Sequence, residues 1–296
     1  MAAMAAMAMD IKSMGKEQNL DWDVVLEAKK SWFDLKFREI WGYRDLIVLL
    51  VRRDFVSLYK QTILGPLWFF IQPLFTTIIF TVIFGQVAKI STDGIPQPIF
   101  YMSGIILWNY FAECLTKTSD TFITNQGIFG KVYFPRLIVP ISVVISNLLK
   151  FFVQALLLLG FYLFYMVKVG LEPNVKLLLL PIYIGILAIL GLALGLIITS
   201  LTTKYRDLKF LVQFGVQLAM YATPIVYPLS IIDPENRLYF DLNPVTSIVE
   251  AFRFGLFGQG SFSIEGLGYS FLLSIALLVL GMLVFNKIES DFVDTV

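Results

Sequence analysis

The chain has 296 residues, 57% hydrophobic and 15% charged, with a mean hydropathy of +0.77; a soluble globular domain is nearer to about 45–50% apolar and about 25% charged. That composition belongs to a membrane protein, and a net charge of +1 offers no basic footprint for nucleic acid. With no histidine and one cysteine, Cys114, imidazole acid–base chemistry, Ser-His-Asp and Cys-His triads, His-ligated metals and internal disulfides are excluded.

Residues 1–10 alternate methionine with alanine, carry no basic n-region and lead into a polar stretch, so they are not expected to act as a secretory signal. Residues 1–42 read as a cytoplasmic N-terminal extension. Over 43–62, Ile47, Val51, Phe55 and Leu58 recur with helical spacing beside Val48 and Tyr59, and Asp45, Arg52, Arg53, Ser57 and Lys60 lie opposite. Charge interrupts this segment too often for it to span, so it is expected to lie in the membrane interface. Gly65-Pro66 then turns the chain, and Pro suits the first position of the helix that follows.

A crossing needs about 20 apolar residues. Six segments in the remaining 63–296 qualify, at 66–88, 99–116, 141–167, 177–200, 210–227 and 267–285. Lys and Arg divide 17 to 5 in favour of the side that would hold both termini and the loops near 117–136 and 201–209, which places that side in the cytoplasm. The expected fold class is therefore an all-α membrane protein of six spans.

Within the spans, Trp68, Gln72, Phe75, Ile79 and Gln86 share one helical face, and Phe210, Phe214, Gln217 and Tyr221 share another. Sugar rings present apolar C–H faces and a polar rim, so aromatic platforms with amide partners suit a sliding glycan, while helix packing explains the same pattern. Glu113 and Lys150 are the ionisable groups inside the spans, and both fall near the cytoplasmic end, where an ion pair is expected. The free N–H groups at Gly65-Pro66, with Arg52, Arg53 and Lys60 nearby in sequence, offer an anion site at headgroup level, against the plainer reading of cations that anchor the inner leaflet. Between spans five and six, the Pro-rich stretch 224–266 reads as two short re-entrant or outer-surface helices, with Val245, Val249, Phe252 and Leu256 on one face and Glu250 and Arg253 on another.

A family likeness then becomes visible. Arg53-Asp54-Phe55, Tyr59-Lys60-Gln61, Leu64-Gly65-Pro66-Leu67-Trp68, Gln72-Pro73-Leu74 and Phe84-Gly85 open the series. Lys131 to Arg136 with Pro140, Tyr205-Arg206-Asp207, Pro224 to Tyr227 and Asn243-Pro244 follow in order. Together they resemble the permease subunit of polysaccharide ABC exporters, the group that moves O-antigen, capsule or teichoic-acid chains. The resemblance implies a six-span homodimer in the bacterial inner membrane that binds two separate ATP-binding subunits and exports a lipid-linked glycan. It implies that ATP and Mg are held by the partner, with no cofactor or metal in this chain. It further implies a glycan path along the two aromatic faces, and ATPase coupling through Lys131, Tyr133, Phe134, Arg136, Arg206 and Asp207. A gate at Pro224, Tyr227, Asn243 and Pro244 completes what the resemblance implies, and the lipid pyrophosphate would meet Arg52, Arg53, Lys60 and Gly65.

Gly127 to Val132 superficially suggests a P-loop, but a Walker A motif needs four residues between its glycines and Ser or Thr after the Lys; here there are two, and a Val. A membrane enzyme of polyprenyl-linked glycan assembly would need clustered carboxylates, whereas Asp233, Glu235, Asp241, Glu250 and Glu265 are scattered. A secondary transporter would show internal repeats, and no convincing halves are present.

Overall fold

The computed structural model describes residues 37–60, 63–129, 134–205 and 207–293. Among these there are helices and turns and no strand, as the composition and periodicity predict. Helices α1 (Phe37–Gly42) and α2 (Arg44–Tyr59) precede α3 (Trp68–Phe80), which starts from a 3-10 turn at Gly65–Leu67 and continues as a π-helix over Thr81–Val87. Then come α4 (Gln97–Ser119), α5 (Thr121–Phe129), α6 (Ile138–Val169), α7 (Leu180–Lys204) and α8 (Leu208–Tyr221). The last three are α9 (Pro234–Asp241), α10 (Pro244–Phe257) and α11 (Ile264–Val293). Most of the expected N-terminal extension, residues 1–36, lies outside the described residues.

Among the described residues, four stretches are long and apolar enough to cross a membrane: Gly65–Val87, Ile138–Val169, Val175–Thr203 and Ile264–Lys287. They coincide with the first, third, fourth and sixth expected spans. The second expected span is a helix of 23 residues, α4, whose apolar character is diluted by Asn109, Glu113 and Lys117. The fifth is shorter than expected. α8 has 14 residues, about 21 Å at 1.5 Å per residue, against a hydrocarbon core of about 30 Å. It stops at Tyr221 because Pro224 has no N–H to give a helix and disfavours helical backbone in the residue before it.

α4 is the hub of the packing. α3, α6, α7, α8 and α10 all pack against it, α11 lies against α7, and α2 lies against α6. Close approach of α4 and α7 depends on small residues: a Cβ at Gly191 would sit 2.7 Å from Cys114 Cβ, and one at Gly195 2.5 Å from Thr118 Cβ. In a bilayer, where lipid is as apolar as leucine, such close backbone contact supplies much of the attraction between helices.

Two expected faces need correction. α2 packs most deeply through Leu50, which the expected stripe did not include, with Leu46 and the expected Ile47 beside it, while Val51 and Phe55 of the stripe are half-buried and Phe55 lies 6.4 Å from the Phe69 ring. Leu50 is buried in the cluster that joins α2 to the start of α6, and Val48 and Leu49 are left exposed. The side chains of Leu58 and Tyr59 lie outside the described residues. On α10 the apolar Val245, Val249, Phe252 and Leu256 are buried as expected, but the opposite pair, Glu250 and Arg253, is buried too.

Candidate functional site

One end of the molecule is held by an aromatic base. Phe122 and Phe129 of α5, Phe134, Ile138 and Val139 pack with Ile40 and Leu50 of α1 and α2, Leu196 of α7, and Met282 and Phe285 of α11. Phe285 stacks on Phe122 with ring centroids 4.9 Å apart, and Arg136 lies over the Phe129 ring at 5.5 Å. The segment that the sequence assigns to ATPase coupling is thus packed against the interface helix and the ends of two spans. Of its named residues, Phe134 is buried, Asp207 is exposed, and Lys131, Tyr133 and Arg206 lie outside the described residues. Sequence reasoning missed two ties here. Lys209 at the start of α8 pairs with Asp120 between α4 and α5 at 2.5 Å, and Thr202 of α7 donates to the Ser119 carbonyl at 2.6 Å. Asp120 and Lys209 lie 89 positions apart, too far for a local pattern to reveal.

The expected intramembrane ion pair is present. Lys150 of α6 pairs with Glu113 Oε1 of α4, and Lys117 contacts Glu113 Oε2 at 3.0 Å. Lys117 also donates to Asn147 Oδ1 at 2.8 Å, and Lys150 lies 5.5 Å from the Phe69 ring centre, so one polar knot ties α3, α4 and α6.

At the corner before α3, Gly65 has φ of +48°, a left-handed conformation that favours glycine. Arg53 pairs with Asp54 at 2.8 Å and reaches Asn125 of α5 at 3.5 Å, while Arg52 and Lys60 are exposed. The structure therefore brings Arg53 to α5.

Both aromatic faces are unpacked within the chain. Trp68 is 52% exposed and Phe75 60%, and on α8 Phe210 is 72%, Phe214 59% and Tyr221 46% exposed. Gln72 and Gln217 are exposed as well. α3 packs against α4 and α6, whereas α8 packs against α4 and α7, so α4 stands between the two helices that carry these faces.

The opposite end from the aromatic base carries the residues read as a gate, and the structure gathers them. Asn243 caps α10 by accepting from the Val245 N–H at 3.0 Å and donates to Thr223 Oγ1 at 2.9 Å; Tyr227 donates to the Tyr221 carbonyl at 2.7 Å. Pro244 occupies the first turn of α10, and the Pro224 carbonyl accepts from Arg253 Nη1 at 2.5 Å. Arg253 is 1% exposed, donates also to the Ile225 carbonyl at 2.7 Å and the Phe100 carbonyl at 3.4 Å, and lies 3.7 Å above the Phe100 ring. Burial pulls its guanidinium down to about 10 while Glu250 at 3.5 Å opposes the shift, so Arg253 stays charged at neutral pH. It fastens the turn after α8 to the top of α4, a role that the i, i+3 spacing to Glu250 alone did not reveal.

Residues 45–257 match the ABC-2 type transporter family. Over 262 residues the chain is 29% identical to the O-antigen export system permease protein RfbA of Klebsiella pneumoniae, covering 88% of this chain and 98% of that protein. With the same coverage it is 28% identical to the RfbA of Myxococcus xanthus. It is 23% identical over 235 residues to the polysialic acid transport protein KpsM of Escherichia coli, covering 78% of this chain and 88% of that one.

Proposed function

Because the chain belongs to the ABC-2 type transporter family, we infer that it is the transmembrane permease subunit of an ATP-binding-cassette exporter of polysaccharide. It is a multi-pass protein of the inner membrane and a non-catalytic subunit, and it works with an ATP-binding partner. The relatives named for O-antigen export and polysialic acid transport support the cargo class.

In the finer reading, two copies of the chain and two ATP-binding subunits form the exporter, with α4 and α8 completing six crossings and both termini in the cytoplasm. ATP and Mg belong to the partner subunits, and the cargo is a lipid-linked glycan moved from the inner to the outer leaflet. The unpacked faces of α3 and α8 carry this reading furthest. This chain leaves Trp68, Phe75, Phe210, Phe214 and Tyr221 about half exposed or more. A second copy that brings α3 against α8 would close these faces into an aromatic and amide-lined path, with Gln72 and Gln217 supplying hydrogen bonds to sugar hydroxyls.

Force from ATP hydrolysis would enter at 121–136 and Asp207, pass through the Phe122–Phe285 base into α2 and α11, and reach the 222–227 turn along α8. Pro224, Tyr227, Asn243 and Pro244 would hold the exit closed at rest. Arg52, Lys60 and the Gly65 corner would receive the pyrophosphate of the lipid carrier, with Arg53 linking that corner to α5 through Asn125. The test is purification of the chain with and without its ATP-binding subunit in lipid nanodiscs. The isolated chain should bind no nucleotide, and the complex should hydrolyse ATP faster with lipid-pyrophosphate glycan present. Nucleotide binding by the chain alone, or full coupling after 121–136 is replaced by a flexible linker, would overturn the reading.

A further inference from the structure

Between α9, α10, the loop over 258–263 and the start of α11 lies a cleft of about 370 Å³, within the range of roughly 300–1,000 Å³ typical of small-molecule sites. Thr246, Ser247, Glu250, Ser261, Glu265 and Tyr269 are among its lining, so its walls are rich in hydroxyl and carboxyl groups. None of the gate residues lines it.

Two groups in this wall are buried and lack a full set of hydrogen bonds. Glu250 is 5% exposed and Thr246 1%, and neither Glu250 Oε1 nor Thr246 Oγ1 has a hydrogen-bond partner. Glu250 Oε2 receives only a long bond from Ser261 at 3.4 Å. Arg253 Nη1 lies 3.5 Å from Oε1, but Arg253 directs its hydrogen bonds to the carbonyls of Pro224, Ile225 and Phe100. Buried acceptors left without donors are costly and uncommon. Thr246 and Glu250 both line the cleft, so a donor held there would complete them.

The chemistry of the lining selects among ligands. Among the described residues no three carboxylate, imidazole or thiolate groups converge closely enough to hold a metal ion. Adjacent sugar hydroxyls, in contrast, donate to a carboxylate while accepting from serine and threonine. Tyr269, held at the rim by its bond to the Leu242 carbonyl at 3.1 Å, adds an aromatic surface for the C–H side of a ring. We propose that this cleft is a saccharide subsite at the end of the permease opposite the coupling base, in which Glu250 and Thr246 take hydroxyl donors from one neutral sugar unit. The proposal rests on the reading of the chain as a polysaccharide exporter, and it places a second sugar contact outside the aromatic path.

The experiment is saturation-transfer NMR on the exporter complex, with its ATP-binding subunit, in lipid nanodiscs. The probes are methyl α-mannopyranoside, methyl β-galactopyranoside and N-acetylglucosamine. At least one should receive magnetisation, and Thr246→Val, which keeps the side-chain shape, should raise its Kd at least about threefold, as expected for one lost hydrogen bond. Glu250→Gln should act in the same direction; if it fails to assemble, Thr246→Val alone decides. Silence from all three sugars, an unchanged Kd in Thr246→Val, or binding of calcium in place of sugar would each overturn the subsite. Because ATPase activity is measured on the same sample, a silent cleft in an active complex defeats the subsite alone, whereas failure to retain the ATP-binding subunit defeats the exporter reading.

Discussion

α4 and α8 both interrupt the simple picture of six apolar rods, and they do so in opposite ways. α4 carries Asn109, Glu113 and Lys117 along its length, yet sixteen of its residues are buried and five other helices pack on it. α8 is the more amphipathic in pattern and has no buried residue. The difference teaches that in this chain hydropathy does not mark the core. Glu113 and Lys117 of α4 find partners inside the protein, as does the Ser119 carbonyl through Thr202, so the charge on this helix can be surrounded. α8 offers large rings that nothing among the described residues covers.

Removing the tie between these two helices should have the largest effect. Arg253 bonds both the turn after α8 and the Phe100 carbonyl of α4. Arg253→Leu leaves Glu250 as an uncompensated buried charge, so a loss of about 3–5 kcal/mol is expected. Thermal unfolding of the detergent-solubilised chain, followed by monodisperse yield, measures it. A loss below 1 kcal/mol, an order-of-magnitude threshold for one neutral hydrogen bond, would show that the carbonyls find other donors.

A glycine pair sharpens the contrast at the next level. A Cβ at Gly195, on α7 facing α4, would press on Thr118 Cβ and lie 3.0 Å from the Leu115 carbonyl, while one at Gly215 on α8 meets nothing within 4 Å. Gly195→Leu should cost about 1–3 kcal/mol by overpacking, whereas Gly215→Leu should stay within about 0.5 kcal/mol. Equal shifts in melting temperature for the two variants would erase the distinction between a seated and an unseated helix.

The sequence made much of this organisation legible, and the points where it fell short have physical causes. Periodicity and punctuation located α2, the four long apolar helices and both helices of the 224–266 stretch, because each signal is local. The Glu113–Lys150 pair was legible from the cost of isolated charge at that depth. The Lys209–Asp120 and Arg253–Phe100 contacts were not, since they join residues brought together only by packing. The length of α8 was misjudged because apolar residues continue past Tyr221 to Val226 while Pro224 has already ended the helix. On α2, two neighbouring apolar faces compete in the sequence, and it is packing between distant segments that buries Leu50.

The smallest effect on stability is expected where the functional effect should be distinct, at the α8 face itself. Tyr221 is 46% exposed, and its one recorded tertiary role is to accept from Tyr227 through its backbone carbonyl, which Tyr221→Ala retains. That substitution should therefore change stability by no more than about 0.5 kcal/mol. Phe111, on α4 and 5% exposed, is the control: Phe111→Ala deletes an aromatic ring from the core and should cost about 3–5 kcal/mol. Export of glycan to the cell surface, measured beside the melting temperature and the retained ATP-binding subunit, separates the two residues. Tyr221→Ala should lower export severalfold in a complex that melts like the native one, and Trp68→Ala on α3 should repeat that pattern. If Tyr221→Ala destabilises as much as Phe111→Ala, the face is packed in a way that the isolated chain does not display. If it leaves export untouched, the aromatic rings of α8 face lipid, and the path must run along another surface.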